Sequence, residues 1–355
     1  MFILGLKNQE KKMEVNKFNA FEKILKYHDK LNYFFNRHKT LVTIELDLTN
    51  SCDNKCPCCS GVKDKPAQLT FSQVKKLVNE FADEFDGKSV IVSGGGEPII
   101  HRDFIKILYY IKSKGLKIGL NSNGYSLNKE KAKAIIDCCS YFRISLDAGT
   151  PEMYKKTHGM DEDAFNKVVE NVKMFSQLNK EYNRKVAFGV GFLTSEMTRP
   201  DILNFFKLSK KCGVGFAQLR PFCYPKLDST NINEELQTAK RLYEDENFKI
   251  ISSSHKYTHF KDKEQRPYKK CFGMFFSIAI TADFKVFPCP IKKQKQDYLL
   301  GDLNKNTLKE IFTSPRIIEV FNNIDLKDCP YFCRNDDVNR GLDYASRHIN
   351  HKEFL

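Results

Sequence analysis

Cys52, Cys56, Cys58 and Cys59 fall within eight residues of one another, and Cys329 and Cys333 flank one short turn far along the chain. Thiolates so close in sequence can converge on one soft centre. In a chain of this length, clustered cysteines more often bind metal or do redox chemistry than form disulfides. Cys52, Cys56 and Cys59 have the spacing Cys-x3-Cys-x2-Cys. Three thiolates can hold three irons of a cubane cluster and leave the fourth iron open. The same spacing admits a structural zinc ion with Cys58 as fourth ligand, or a cysteine-rich loop without metal. Bound metal requires a reducing compartment.

What must position these thiols is a repeat of strand, loop and helix. Residues 41–48 alternate apolar and polar side chains as a strand does, so the first cysteines occupy the loop that follows it. Thr70-Phe71-Ser72-Gln73 is a capping box opening a helix to about residue 85. Strands follow at 90–93, 117–122, 141–147, 186–193 and 215–220. Helices are predicted at 102–114 (ending at Gly115), 128–139, 161–178 and 201–212. Six such β/α steps predict a parallel sheet with right-handed crossovers, open or curled into part of a barrel. Ligands then bind at the C-terminal ends of the strands.

The flanks differ from this core. Residues 13–38 place Phe18, Phe21, Ile24, Leu25, Leu31, Phe34 and Phe35 at helical spacing, as an amphipathic helix covering one end would. Beyond Pro225 the regularity stops. Residues 227–270 are polar and charged, and read as a bridging helix and loop. Residues 271–355 hold Cys271, Cys289, Cys329 and Cys333, a hairpin-like segment at 276–287 and a short helix at 307–312. That part is too small for a deep core alone, and a metal site would supply the missing stabilisation. The expected division is an N-terminal helical extension (1–40), a partial barrel (41–225), a bridging region (226–270) and a cysteine-rich domain (271–355).

The 355 residues carry twelve cysteines and a net charge of +14. Lysines are spread along the chain, and no long basic block marks a nucleic-acid footprint. A solvated lysine-rich surface accounts for the charge; the sharper alternative is an anionic substrate such as a nucleotide-linked sugar, an acidic peptide or RNA. No apolar run approaches the ~20 residues that cross a bilayer. The opening Met1-Phe2-Ile3-Leu4-Gly5-Leu6 is too short for a signal-peptide core and lacks a small-residue cleavage site. A cytoplasmic protein with no membrane partner is expected.

Further motifs stand on successive strand ends: Gly95-Gly96-Glu97-Pro98 after the second, Asn121-Ser122-Asn123-Gly124 at the third, Ser145-Leu146-Asp147 at the fourth. Each is weak alone. With the cysteine motif, in this order over about residues 41–222, they resemble the radical S-adenosylmethionine (SAM) superfamily. The resemblance implies an α/β fold with a partial (β/α)6 barrel. It implies that Cys52, Cys56 and Cys59 bind three irons of a [4Fe–4S] cluster, whose open iron chelates the amino and carboxylate groups of S-adenosyl-L-methionine. Gly94, Gly95 and Gly96 would let the backbone approach the methionyl ammonium, Glu97 would accept from it, and Pro98 would stiffen the turn. Asn121, Asn123 and Ser145 would lie on the ribose side. An electron donor such as flavodoxin or ferredoxin is implied, with reductive cleavage to a 5′-deoxyadenosyl radical as the outcome. Cys58 stands where the family has an aromatic residue, and Ala148 replaces the glycine of Ser-Leu-Asp-Gly.

Cys271, Cys289, Cys329 and Cys333 resemble the ligands of the twitch variety of SPASM domain. Residues 282–289 match its hairpin, and Leu300-Gly301-Asp302-Leu303 with 307–312 match its connecting segment. The family usually has glycine where Phe284 stands, which predicts a different turn. The resemblance implies one auxiliary [4Fe–4S] cluster, closed by four thiolates and suited to electron transfer rather than substrate anchoring. A zinc ion on the same ligands is the alternative, with Cys212 and Cys223 in reserve.

Cys223, just past the sixth strand between Pro221 and Pro225, is the candidate catalytic residue. It reads as a buried structural thiol or as a hydrogen-atom donor to a substrate radical. Cys138 and Cys139 read as packing, and Arg220, Lys155, Lys156 and His158 as candidate anion contacts. The expected function is hydrogen abstraction from a peptide or sugar-type substrate, giving oxidation or epimerisation. The alternatives are an RNA- or nucleotide-modifying radical SAM enzyme and, outside enzymes, a zinc-stabilised α/β binding protein.

Overall fold

The computed structural model describes residues 24, 26–27, 29–31, 40–59, 61, 66–222, 230–252, 257, 266–293, 295–330 and 333–346. Seven strands run parallel: β1 (Thr43–Asp47), β2 (Ser89–Ser93), β3 (Lys117–Ser122), β4 (Cys139–Ser145), β5 (Ala187–Thr194), β6 (Phe216–Pro221) and β7 (Lys249–Ser252). Helices return the chain between them: α1 (Phe71–Asp83), α2 (Phe104–Ser113), α3 (Lys129–Cys138), α4 (Pro151–His158), α5 (Glu162–Glu181), α6 (Ile202–Lys211) and α7 (Asn233–Tyr243). The alternation of each strand decides its two faces. Ile44, Leu46, Val90, Val92, Ile118, Leu120, Phe142, Ile144, Val190, Phe192 and Leu219 belong to one buried cluster with the helices. The opposite face carries Glu45, Asp47, Asn121, Arg143, Ser145, Gln218 and Arg220. The inside of the partial barrel is therefore polar.

The C-terminal segment joins the same sheet. β8 (Ser277–Ile280) pairs parallel with β1, Thr43 opposite Ser277. β9 (Lys285–Phe287) and β10 (Gly301–Asp302) follow antiparallel, so the ten strands run β10-β9-β8-β1-β2-β3-β4-β5-β6-β7. Three short helices complete it: α8 (Leu308–Thr313), α9 (Pro315–Asn323) and α10 (Asp336–Ser346). Glu80 of α1 accepts from the backbone N–H groups of Leu308 and Lys309 at 2.9 and 2.8 Å, docking the acid on the α8 N-terminus. β1 is thus the strand between the barrel and the cysteine-rich segment.

The capping boxes at Thr70/Gln73 and Thr307/Glu310 are both made. α4 and β7 were not read from the sequence: α4 is short and rich in lysine, and β7 has four residues inside a charged stretch. Cys139 opens β4 directly after α3, so no loop separates them. The predicted helix over 13–38 lies mostly outside the described residues; of its apolar positions, Ile24 and Leu31 pack with Val42, Phe276 and Leu342. No helix among the described residues is long and apolar enough to cross a membrane.

Phe284 stands in the turn between β8 and β9, where the family usually has glycine. Its φ is +64°, the left-handed conformation that glycine takes without strain, while its ring is buried in the main core. Left-handed backbone costs a non-glycine residue about 1–2 kcal/mol, whereas emptying a buried phenylalanine site costs about 3–5 kcal/mol. Burial wins. Phe284→Gly is accordingly expected to destabilise the protein by about 2 kcal/mol, read as a lower melting temperature; a higher one would show that the ring contributes little.

Candidate active site and cysteine clusters

Cys52 to Cys59 form the loop after β1, and the loops after β2 and β3 hold it. Gly96 N–H donates to Thr49 O and Glu97 N–H to Ser51 O, both at 2.8 Å. Asn123 Nδ2 donates to Asp53 Oδ1 and Ser126 Oγ to Asp53 Oδ2, each at 2.6 Å. Backbone N–H groups also approach the sulfurs, Asn54 to Cys52 at 3.5 Å and Gly61 to Cys59 at 3.2 Å. Desolvation pushes the Cys52 thiol up to about 11, with Glu97, Asp53 and Cys59 adding negative charge nearby. A cationic cluster reverses that balance, because it stabilises the thiolates that the bare loop disfavours.

The glycine tract lies against this loop. A Cβ on Gly96 would stand 2.0 Å from Ser51 O, and one on Gly95 2.4 Å from Asn50 Oδ1. At position 96 only glycine permits this backbone approach. Glu97 is buried and accepts from Ser122 Oγ (2.7 Å), Asn123 N–H (2.7 Å) and Ile99 N–H (3.0 Å). It therefore ties the β2 loop to the end of β3. Burial pushes its carboxyl up to about 7 against those three donors. Its Oε2 takes one of the three, which leaves acceptor capacity towards a methionyl ammonium. Pro98 is buried at the start of the short turn Pro98–Ile100. Asn121 and Ser145 lie on the barrel-facing sides of β3 and β4, while the Asn123 side chain is committed to Asp53.

His158 departs from its reading as a surface anion contact. It is buried, with Nδ1 3.4 Å from Cys56 Sγ and 3.2 Å from Asn54 Nδ2, and Nε2 3.1 Å from Leu146 O. Burial lowers its pKa despite the nearby Asp147. The imidazole is thereby biased towards its neutral form beside Cys56. Its neighbours Lys155 and Lys156 are exposed, and that lysine context hid it in the sequence. Cys58 is exposed; Cys138, Cys139 and Cys212 are packed in the core. Cys212 follows α6 ahead of β6, at the end of the sheet opposite the cysteine loops, so it is no reserve ligand. Cys223 lies outside the described residues.

Cys271, Cys289, Cys329 and Cys333 come together beside β1. Burial pushes Cys289 up to about 12 and Cys333 well above its usual range, with the other thiols of the group adding to both. Asn335, just ahead of α10, and Asn339 within it aim their Nδ2 atoms at Cys271 Sγ, 3.8 and 3.6 Å away. Arg266 holds the next ligand loop by donating to the carbonyls of Cys329 (2.8 Å) and Pro330 (2.7 Å). One buried and three half-buried thiols, with two asparagine amides directed at Cys271, fit an iron–sulfur cluster, which would supply the missing positive charge. Among the described residues no three His, Cys, Asp or Glu side chains sit close enough to share one ion. A cubane does not ask them to, since each thiolate takes a separate iron.

The ligand loops reach into the barrel. Lys293, four residues after Cys289, donates to Asp47 Oδ1 and Oδ2 at 2.7 and 2.9 Å and to Glu45 Oε1 at 3.3 Å. Arg334, adjacent to Cys333, pairs with Glu45 Oε2. Buried ion pairs add little net stability, but losing one partner costs about 3–5 kcal/mol. They fix position. Acidic residues on the inward face of a strand covered on both sides were the sequence signal for this network.

Two family models match the chain: the radical SAM superfamily over residues 46–206 and an iron–sulfur cluster-binding domain, SPASM, over residues 271–335. Among curated proteins it is similar to a probable GTP 3′,8-cyclase of Saccharolobus islandicus, 27% identical over 178 residues, 50% of this chain and 55% of that one. It is also similar to the GTP 3′,8-cyclase of Vibrio parahaemolyticus, 28% identical over 188 residues, 48% of this chain and 55% of that one. The chain spans about half the length of the curated relatives it matches. Among solved structures, Streptococcus suis SuiB bound to the precursor peptide SuiA superposes with a TM-score of 0.65 at 13% identity, over 90% of this chain and 75% of that one. The protein anSMEcpe with bound AdoMet gives 0.60 at 18% identity, over 83% and 88%. At these identities the likeness is one of fold.

Proposed function

Because the chain belongs to the radical SAM superfamily and carries a SPASM domain, we propose that it abstracts hydrogen from a peptide or sugar-type substrate, with the auxiliary cluster in electron transfer. When bound, the clusters and SAM supply the radical chemistry, beginning with reductive cleavage of SAM to a 5′-deoxyadenosyl radical. The observation that carries the reading is that one strand, β1, leads into the first cysteine loop and holds, through its inward acids, the residues that follow Cys289 and Cys333 of the second group.

The chain's own residues do the positioning. Cys52, Cys56 and Cys59 would hold the first cluster, and Gly94 to Pro98 with Glu97 would seat the methionyl end of SAM. Asn121, Asn123 and Ser145 would border the ribose. Cys271, Cys289, Cys329 and Cys333 would close the auxiliary cluster. The polar barrel interior faces the substrate, and the surrounding apolar sheet and helices exclude water from the rest.

Structural neighbours solved with a precursor peptide or with a bound peptide and AdoMet favour the peptide class. The names of the curated relatives favour the runner-up, a nucleotide-directed enzyme. The test is 5′-deoxyadenosine formation by anaerobically reconstituted protein, with dithionite and SAM, in the presence of short peptides, sugar metabolites or GTP. The true class is expected to raise the rate at least about tenfold over the substrate-free reaction. Stimulation by GTP alone moves the assignment to the runner-up. No SAM cleavage by iron-loaded protein refutes both. Solvent deuterium in the product, lost in Cys223→Ala, would mark epimerisation; an unlabelled oxidised product marks oxidation.

A further inference from the structure

Two guanidiniums share the barrel interior, neither in an ion pair among the described residues, although the charge of Asp147 acts on Arg143. Arg143 stands on the inward face of β4 and Arg220 on that of β6. Between them β5 presents Gly191, which has no side chain. A Cβ there would lie 3.4 Å from Arg143 Cδ and 3.5 Å from Arg220 Nη2, so both arginines lean over the same bare stretch of backbone. Arg143 Nη1 donates to Gln218 Oε1 at 2.9 Å. The Nε atoms of both arginines are buried with no hydrogen-bond partner, and neither arginine forms an ion pair among the described residues.

The inward carboxylates are already used. Glu45 and Asp47 hold Arg334 and Lys293, and Asp147 accepts from Leu193 N–H at 2.7 Å while lying 3.9 Å from His158. Burial lowers the Arg143 pKa to about 9, and the charge of Arg220 lowers it further than any other neighbour does. A buried like-charge pair is costly in a finished core. It is useful where a ligand brings the opposite charge, since guanidinium forks bind carboxylate or phosphate oxygens in a fixed geometry.

We propose that Arg143 and Arg220 are a two-armed receptor for an anionic group of the substrate, a carboxylate or phosphate that enters the barrel over Gly191. Gly191 pairs in register with Ser145. The anion therefore sits one strand from the residue assigned to the ribose side of SAM, within reach of the reacting end. This deepens the function proposed above and rests on it only for the substrate's entry into the barrel.

The experiment titrates reconstituted protein, with SAM saturating the open iron, against inorganic pyrophosphate and separately against glutarate. One of the two is expected to bind with one-to-one stoichiometry, which also tells phosphate from carboxylate. Arg143→Gln and Arg220→Gln should each weaken that binding at least about tenfold, and Arg220→Lys less. The anion should raise the melting temperature of the wild type and not that of either glutamine variant. Without anion, Arg143→Gln should melt no lower than wild type, because a repulsion has been removed. The proposal is overturned if neither probe binds the wild type, or if binding survives both glutamine substitutions. It is also overturned if Arg220→Lys and Arg143→Gln weaken SAM binding instead, which would assign the pair to the SAM carboxylate. Iron content and SAM binding of the same wild-type sample report on the enzyme reading separately.

Discussion

Alanine at Cys52, Cys56 or Cys59 is expected to abolish reductive cleavage of SAM, a loss of at least about a thousandfold for each single variant. Each thiolate would bind a different iron, so none can stand in for another, and the cubane that leaves one iron open needs all three. The loop is also built around them. Its backbone N–H groups approach the sulfurs of Cys52 and Cys59, and the His158 ring lies beside that of Cys56. Cys58→Ala is the control. That residue lies outside the Cys-x3-Cys-x2-Cys ligand set that the family resemblance implies, so its variant should cleave SAM near the wild-type rate. The measurement is 5′-deoxyadenosine by chromatography after anaerobic reconstitution. Full production by any of the three ligand variants would remove that cysteine from the cluster.

Much of this arrangement was legible because the signals are local. A strand that alternates, a capping box and a glycine tract are each written in a few adjacent residues, and their order along the chain gave the parallel sheet. β8 on β1 was not legible. The hairpin at 276–287 could be read, but its partner strand lies over 200 residues earlier, and nothing in either segment's pattern names the other. His158 was misread for a related reason. Helical position and lysine neighbours indicate a surface, whereas its burial follows from how α4 packs beside the first cysteine loop. Phe284 shows the limit of a residue rule: burial of its ring outweighs the strain of its backbone. Arg220 was noticed as an anion contact, while Arg143 was not. Its significance depends on Gly191 and Gln218, which only the strand register brings beside it.

Reconstituted protein should hold about eight irons, four for each of two cubanes, and Cys329→Ala combined with Cys333→Ala should reduce this to roughly four. The first cluster should survive, because its loop is anchored by Thr49, Ser51 and Asp53 to the loops after β2 and β3, not to the C-terminal segment. SAM cleavage in the double variant should therefore stay detectable while substrate turnover falls below detection. The melting temperature should also drop, since a segment this small leans on its metal. Lys293 and Arg334 make a sharper test of how the two halves are joined. Both cations follow cluster ligands closely in sequence, and both bind acids of β1, the strand that leads into the first cysteine loop. If those ion pairs only locate the second ligand set, the first cluster keeps its four irons after the second is lost. Loss of all eight from the double variant would instead make β1 depend on the auxiliary cluster. Stoichiometric zinc with no iron, after strictly anaerobic preparation, would refute the two-cluster assignment itself.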